Sequence, residues 1–332
     1  MESRLFPFSG RASDLGTRVS YSVASWTGLL DRRKLVWDAP LVEELPISTG
    51  QLSPLTDVDT PRRGLRDRFS ERWPALRDVP WFPAVGDGAA ANLGSGCVRP
   101  DRVALTMGTT SAVRLVTDDE VKCVPDGLWC YRVDKQRSLP GGALSEGGNV
   151  SAWLEKTLQL PQRSDLEASL ADMEPDDHGL TVLPFLAGER SPGWEEGARG
   201  TIHGLSLATT PLDIVRAAME SVAYRIALIF DLLAPLLPSD FQVVASGGAL
   251  LSSRVWLQIV VDVLGQPVLI SEVEEASARG SALLGLEVLG DLGSVADAPA
   301  FVGGSAVPDE RRHTRYKEAM KRQQVLYETL VP

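Results

Sequence analysis

Apolar residues fill most faces of a helix drawn over residues 211–233, so this segment is predicted as one long, deeply buried helix, the spine of its domain. Leu65, Phe69 and Trp73 recur every four positions and predict an amphipathic surface helix over 63–73. Short apolar or alternating runs predict strands over 18–23, 84–85, 102–106, 112–116, 128–133, 141–144, 181–186, 241–246 and 268–270. Helices are predicted over 39–45, 89–96, 150–158, 164–173, 252–264, 276–289 and 311–330. Strands interleaved with helices define an α/β fold. Asp31-Arg32-Arg33 turns the chain within 29–37, residues 47–61 carry breaker residues and read as a connecting loop, and the polar residues 1–16 read as a poorly ordered entry segment.

Composition narrows the class. A chain of 332 residues suits about two domains. With 44% hydrophobic and 23% charged residues it is an ordinary globular protein. A formal charge of −11 excludes a general nucleic-acid or anionic-membrane binder, because phosphate surfaces need a basic partner. An anionic small substrate is still compatible, through local charges. Cys97, Cys123 and Cys130 match no metal spacing and are expected as free, partly buried thiols of a reducing compartment. His178, His203 and His313 stand far apart and are expected in loops or on the surface, so no metal site is predicted. With no basic-then-apolar leader and no long apolar run, the expected location is the cytoplasm. Neither a Gly-x-Ser-x-Gly elbow nor a Walker-type lysine loop is present.

Candidate chemistry gathers at glycine turns. Gly86 and Gly88 clear space around Asp87, which suits a base that another molecule must approach and equally suits a helix N-cap. Gly108-Thr109-Thr110 joins two strands and aims amides and hydroxyls into one concavity, a phosphate grip or a plain hairpin turn. Gly147 and Gly148 precede a helix whose free amides can face a nucleotide. Gly247-Gly248-Ala249 follows a buried strand, with Ser252 opening the next helix, the arrangement by which an α/β sheet admits a ligand at its carboxyl edge. Trp26 sits beside two hydroxyls in Ser25-Trp26-Thr27 and can line a sugar pocket or simply join the core. The loop 187–194 is long enough to overhang a cleft; its Glu189 and Arg190 either pair with each other or leave Arg190 to grip a sugar carboxylate.

In this order and spacing, Gly86-Asp87-Gly88-Ala89, Thr106-Met107-Gly108-Thr109-Thr110, Gly147-Gly148, Ser246-Gly247-Gly248-Ala249 and Ala276-Ser277-Ala278-Arg279-Gly280 together resemble the FGGY carbohydrate kinases. The likeness covers residues 18–290, and Ser25-Trp26-Thr27-Gly28 with Trp81-Phe82-Pro83 is most similar to the gluconate kinase branch. It implies an α/β, actin-like ATPase (ribonuclease H-like) fold, a partial first domain plus a complete second one. Residues 1–100 would be the remnant of the N-terminal domain and 101–332 the nucleotide-binding C-terminal domain. Asp87 would be the base, and Trp26 and Asp87 would contact the sugar. Gly108, Thr109 and Thr110 would hold the phosphates of ATP, with Mg2+ as the accompanying ion. Gly148, Gly247, Gly248 and Ala249 would flank the nucleotide, and Ser252 would approach the adenine. Ala152 stands where some members have a glutamine, so that contact is not carried over. Asp14-Leu15-Gly16-Thr17 has the letters of the family's first phosphate hairpin but lies too close to Ser25 to serve as it. The resemblance therefore implies that the leading part of a typical member is absent. A separate chain would supply it, or the chain is a catalytically inactive nucleotide-binding remnant or partner subunit. The expected substrate is a small sugar or sugar acid, gluconate first, with xylulose, glycerol and other polyols as alternatives.

Overall fold

A computed structural model describes residues 18–331, so Asp14-Leu15-Gly16-Thr17 and the predicted entry segment lie outside the described residues. Walking the chain, α1 is Asp87–Gly94, followed by β1 (Arg102–Met107), β2 (Ser111–Leu115), β3 (Trp129–Arg132) and β4 (Ser138–Leu144). Then come α2 (Gly148–Thr157), α3 (Arg163–Ala171), α4 (Pro211–Leu233), β5 (Gln242–Ser246), α5 (Arg254–Leu264), β6 (Val268–Ser271), α6 (Ala276–Leu289), β7 (Val302–Ala306) and α7 (Glu310–Leu330). The seven labelled strands form one sheet in the order β7-β6-β5-β1-β2-β4-β3. β1, β5 and β6 run parallel, and the remaining pairs are antiparallel.

Alternation along β1 divides the core. Val103, Leu105 and Met107 point to one face, where they join Val222, Ile226 and Ile229 of α4 and Ile259 and Val260 of α5. Ala104 faces the other side with Cys97 and Val244. There α1 and α6 cover the sheet, burying Ala89, Leu93, Leu283 and Leu284. The spine α4 begins at a capping box: Thr210 accepts from the Asp213 amide at 3.3 Å while the Asp213 carboxylate accepts from the Thr210 amide at 2.7 Å. Pro211 at its first position needs no amide there.

Before α1, the chain departs from the predicted pattern. The strand expected over 18–23 is two residues long, Val19–Ser20, because the Ser20 hydroxyl accepts from the Val23 amide and starts a helical turn. The helix expected over 63–73 is confined to Asp67–Arg72, since Leu65 gives its amide to Arg77 and Arg62 pairs with Trp81. Residues 84–85 form no strand; the Ala84 carbonyl accepts from Ser20 Oγ, and the Gly86 amide donates to Ser22 Oγ. Among the described residues no helix is long and apolar enough to cross a membrane.

Candidate active site

The parallel strands β1 and β5 end side by side, and Thr106 Oγ1 and Ser246 Oγ stand 3.0 Å apart at their tips. Three glycine turns converge there. Gly108 and Gly248 have open space where a side chain would be, which leaves their backbones free to be approached. Gly247 adopts φ +97°, and a methyl group on it would fall 2.4 Å from the Met107 carbonyl oxygen, so this turn presses directly on the end of β1. Gly148 fills the gap between the other two, with a Cβ position 2.9 Å from the Gly108 oxygen and 2.8 Å from Ala249 Cβ.

The amides at the start of α2 are not free, contrary to expectation. Gly148 donates to the Gly108 carbonyl at 2.8 Å and Asn149 to the Thr109 carbonyl at 3.1 Å. This bracing takes both amides away from any ligand and makes the Gly108–Thr110 turn rigid instead. Behind Gly148 and Ala249 lies a cavity of about 190 Å³ whose wall includes Ala152, Arg163, Ser252 and Trp256. Ser252 does not open α5; it ends the short turn of helix Gly248–Leu251, and Ser253 caps α5 by accepting from the Trp256 amide. The Ser252 hydroxyl instead accepts from Arg163 at 2.8 Å on the cavity rim.

A second concavity forms on the α1 side of the sheet. Asp87 is the first residue of α1, with Gly86 in the cap position, and it is exposed. It is not the N-cap: its Oδ1 accepts only from the neighbouring Gly88 amide, at 2.7 Å, which leaves the carboxylate available. Arg114 of β2 packs on the same helix start, its Nε 3.2 Å from where a Gly88 Cβ would lie. Across the sheet, Arg114 and Trp129 both pair in register with Gly141, whose missing side chain makes room for the Trp129 ring. Trp129 stacks on Tyr131 at 4.2 Å between centroids, and Tyr131 meets Trp26 at 6.1 Å. The ring closes at Gly86, where any Cβ would lie 2.3 Å from Trp26. Asp87, Trp26, Tyr131, Trp129 and Arg114 thus surround one cup.

The loop 187–194 contributes the last wall. Ser191 pairs with Ala143 beyond the end of β3, through an amide bond of 3.0 Å and a hydroxyl bond of 3.2 Å. Glu189 and Arg190 do not pair with each other. Glu189 is buried against Arg225 and accepts from the Tyr327 hydroxyl at 2.6 Å, whereas Arg190 is exposed. Burial lowers Arg114 below its ordinary value, the Asp87 carboxylate raises it again, and Arg190 adds a smaller repulsion. Burial likewise raises the Tyr131 phenol, opposed by Arg190. Glu146, at the end of β4, is 1% exposed and neither of its carboxylate oxygens has a hydrogen-bond partner. Burial pushes it up to about 7.

Trp26 and Asp87, expected to contact the sugar, stand at one cup, whereas the sequence reading passed over Arg114, Trp129, Tyr131 and Glu146. Arg114 had a visible mark, a lone charge inside the apolar run 112–116. His178, expected in a loop or on the surface, lies in a loop with its side chain buried and bonded to Glu220 at 3.0 Å. Asp176, His178 and Glu220 lie close enough to hold a metal, yet Glu220 is already occupied by Arg216 at 2.6 Å, Tyr224 at 3.1 Å and Tyr316 at 3.2 Å. Burial opposes ionisation of Glu220, and His178 and Arg216 outweigh it, holding the carboxyl below its usual value. This cluster is a buried ion-pair network that joins α4 to α7.

A mixed sheet with glycine turns gathered at its carboxyl edge, helices on both faces and a cup beside the turns is the actin-like ATPase fold. Residues 103–287 match the C-terminal domain of the FGGY family of carbohydrate kinases, and the chain belongs to that family. It is 27% identical over 325 residues to the gluconokinase of Bacillus subtilis, a match that takes in 95% of this chain and 62% of that enzyme's length. Among solved structures it is similar to the ligand-bound xylulose kinase of Lactobacillus acidophilus, with a TM-score of 0.85 at 23% identity over 94% of this chain and 64% of that one. The gluconate kinase of Lactobacillus acidophilus superposes with a TM-score of 0.84 at 22% identity, again over 94% of this chain and 64% of the other.

Proposed function

We propose that the chain carries the nucleotide site and the catalytic base of an ATP-dependent kinase acting on a hydroxyl of a sugar or sugar acid, gluconate first among them. Within it, residues 1–100 end a first domain and 101–332 form the second; the family match, which starts at residue 103, supports that boundary. The observation that carries the reading is Asp87, an exposed carboxylate without a cation locked onto it, at the wall of an aromatic cup beside the strand that leaves the open Gly108–Thr110 turn.

The residues divide the work. The open backbones of Gly108 and Gly248, with the hydroxyls of Thr109 and Thr110, receive the phosphates, and the cavity behind Gly148, Ala249 and Ser252 receives the base. Trp26 and Trp129 give the sugar apolar faces to lie against. Asp87 accepts the proton of the substrate hydroxyl as its oxygen bonds to the γ-phosphorus; the bond from that phosphorus to the ADP oxygen breaks, and ADP leaves. Mg2+ would be held with the nucleotide beside the Thr109 and Thr110 hydroxyls and would neutralise charge on the transferred group. Those exposed hydroxyls are oxygen donors of the kind such an ion takes.

Replacing Asp87 with Asn tests the base. Turnover should fall on the order of 10²–10⁴-fold while ATP affinity stays within about twofold, since the group acts in the chemical step. Undiminished phosphorylation in that variant would remove Asp87 from the role.

A further inference from the structure

The cup holds more positive charge than it uses. Arg114 Nη1 is buried with no hydrogen-bond partner, and the indole N–H of Trp129, the other register partner of Gly141, is buried and unpartnered too. Arg190, held over the cup by the Ser191–Ala143 pairing, forms no ion pair among the described residues. The two guanidiniums are close enough to repel, and Asp87 is the carboxylate that offsets Arg114. Buried donors left unpaired cost the fold free energy, on the order of 1–3 kcal/mol each, unless a ligand satisfies them.

We infer that Arg114 and Arg190, with the Trp129 indole N–H, form a subsite for a carboxylate on the substrate, so that the cup selects a sugar acid over a neutral polyol. The inference rests on reading this cup as the sugar site of the kinase. The transferred phosphoryl group is the other anion that could meet these donors. Position argues against it: Arg114 lies four residues past Thr110, roughly 13 Å along an extended strand. Its guanidinium lies against the start of α1 beside Asp87, on the sugar's side of the sheet and away from the turn that receives the phosphates. Guanidinium forks bind carboxylates through paired N–H donors, which gives orientation as well as affinity.

The test titrates the whole chain with gluconate and with sorbitol, its neutral counterpart, without nucleotide, reading binding by isothermal calorimetry. Gluconate should bind at least about tenfold more tightly than sorbitol. Arg114→Gln and Arg190→Gln should each weaken gluconate about 10–100-fold, leave sorbitol as it was, and leave the KM for ATP unchanged. Arg190 is exposed, so its variant keeps the reading testable if Arg114→Gln fails to fold, with retained ATP binding as the check. Equal binding of the two sugars would overturn the subsite. So would a fall in kcat with gluconate affinity intact, the result expected if the arginines serve the phosphoryl group. Turnover of sorbitol without gluconate binding would sink the subsite and spare the kinase. Arginine-dependent gluconate binding without any phosphorylation would uphold the subsite and sink the kinase.

Discussion

Glu146 sits where the sheet hands the chain to the Gly147-Gly148 turn, and its carboxyl is buried with both oxygens unpartnered. Burial raises it from the ordinary 4.5 to about 7, with Arg225 opposing the rise and Glu189 adding to it. Between those two values the folded chain keeps a proton that the unfolded chain has released, so stability falls as pH climbs through the window and is level above it. The full loss is on the order of 3 kcal/mol. Glu146→Gln removes the titration: urea midpoints at pH 5 and pH 8 should draw together, and the variant should exceed the parent at pH 8. An unchanged gap between the two pH values would show that Glu146 ionises freely in the fold. Nothing in the letters around Ser145-Glu146-Gly147 separates this buried acid from a solvated loop residue, because its environment comes from Arg225 and Glu189, distant in sequence. Asp87 was easier to find, since the glycines that expose it are its own neighbours.

Between elements, the closest approach is α1 against α6. A methyl on Gly94 would fall 1.8 Å from the Ala276 oxygen, and one on Gly280 would fall 1.8 Å from the Ala90 oxygen, so the two helix backbones touch. Ser277 Oγ donates to the Asp87 carbonyl at 3.3 Å, and Arg279 reaches the Gly94 carbonyl. α6 thereby fixes where the Asp87 helix starts. Gly280→Ala must push the helices apart, costing about 1–3 kcal/mol as overpacking does. Because that shift moves Asp87, kcat should drop more than ATP affinity; a variant with full kcat and a lowered melting point would uncouple the contact from the site. The helices 211–233 and 276–289 were readable to the residue, because a local signal marks one end of each, the Thr210-Pro211 cap for the first and left-handed Gly290 for the second, and their own apolar pattern supplies the rest. The helix over 63–73 was not, since its first turn is taken by Arg77 and Trp81, partners that periodicity cannot see. Nor was β7, whose Val302–Ala306 is mostly glycine and small residues held by antiparallel pairing to β6.

Over the whole molecule, the sheet separates two half-sites. The cavity behind Gly148 and Ala249 is walled by α2, α3, α4 and the turn into α5, all packed in the main core on one face, whereas Trp26, Asp87 and Arg114 lie with α1 on the other. The Gly108–Thr110 turn joins β1 to β2 between them, and the Gly148 and Asn149 amides brace it against the start of α2. The sequence motifs marked that turn and both sides of it, but they could not show that the sides are built from different layers, which depends on how the strands order in the sheet. The layering has a thermodynamic consequence. A ligand that binds only the folded state at 100 times its Kd stabilises it by about 2.7 kcal/mol, whatever happens elsewhere. A non-hydrolysable ATP analogue should therefore raise the melting temperature of Trp26→Ala and Asp87→Asn as much as that of the parent chain, although the proposed function has both variants lose activity toward sugar. If Trp26→Ala lost the nucleotide-induced rise while still folding, the half-sites would be coupled through the turn, and its bracing would have to yield when the cup is disturbed.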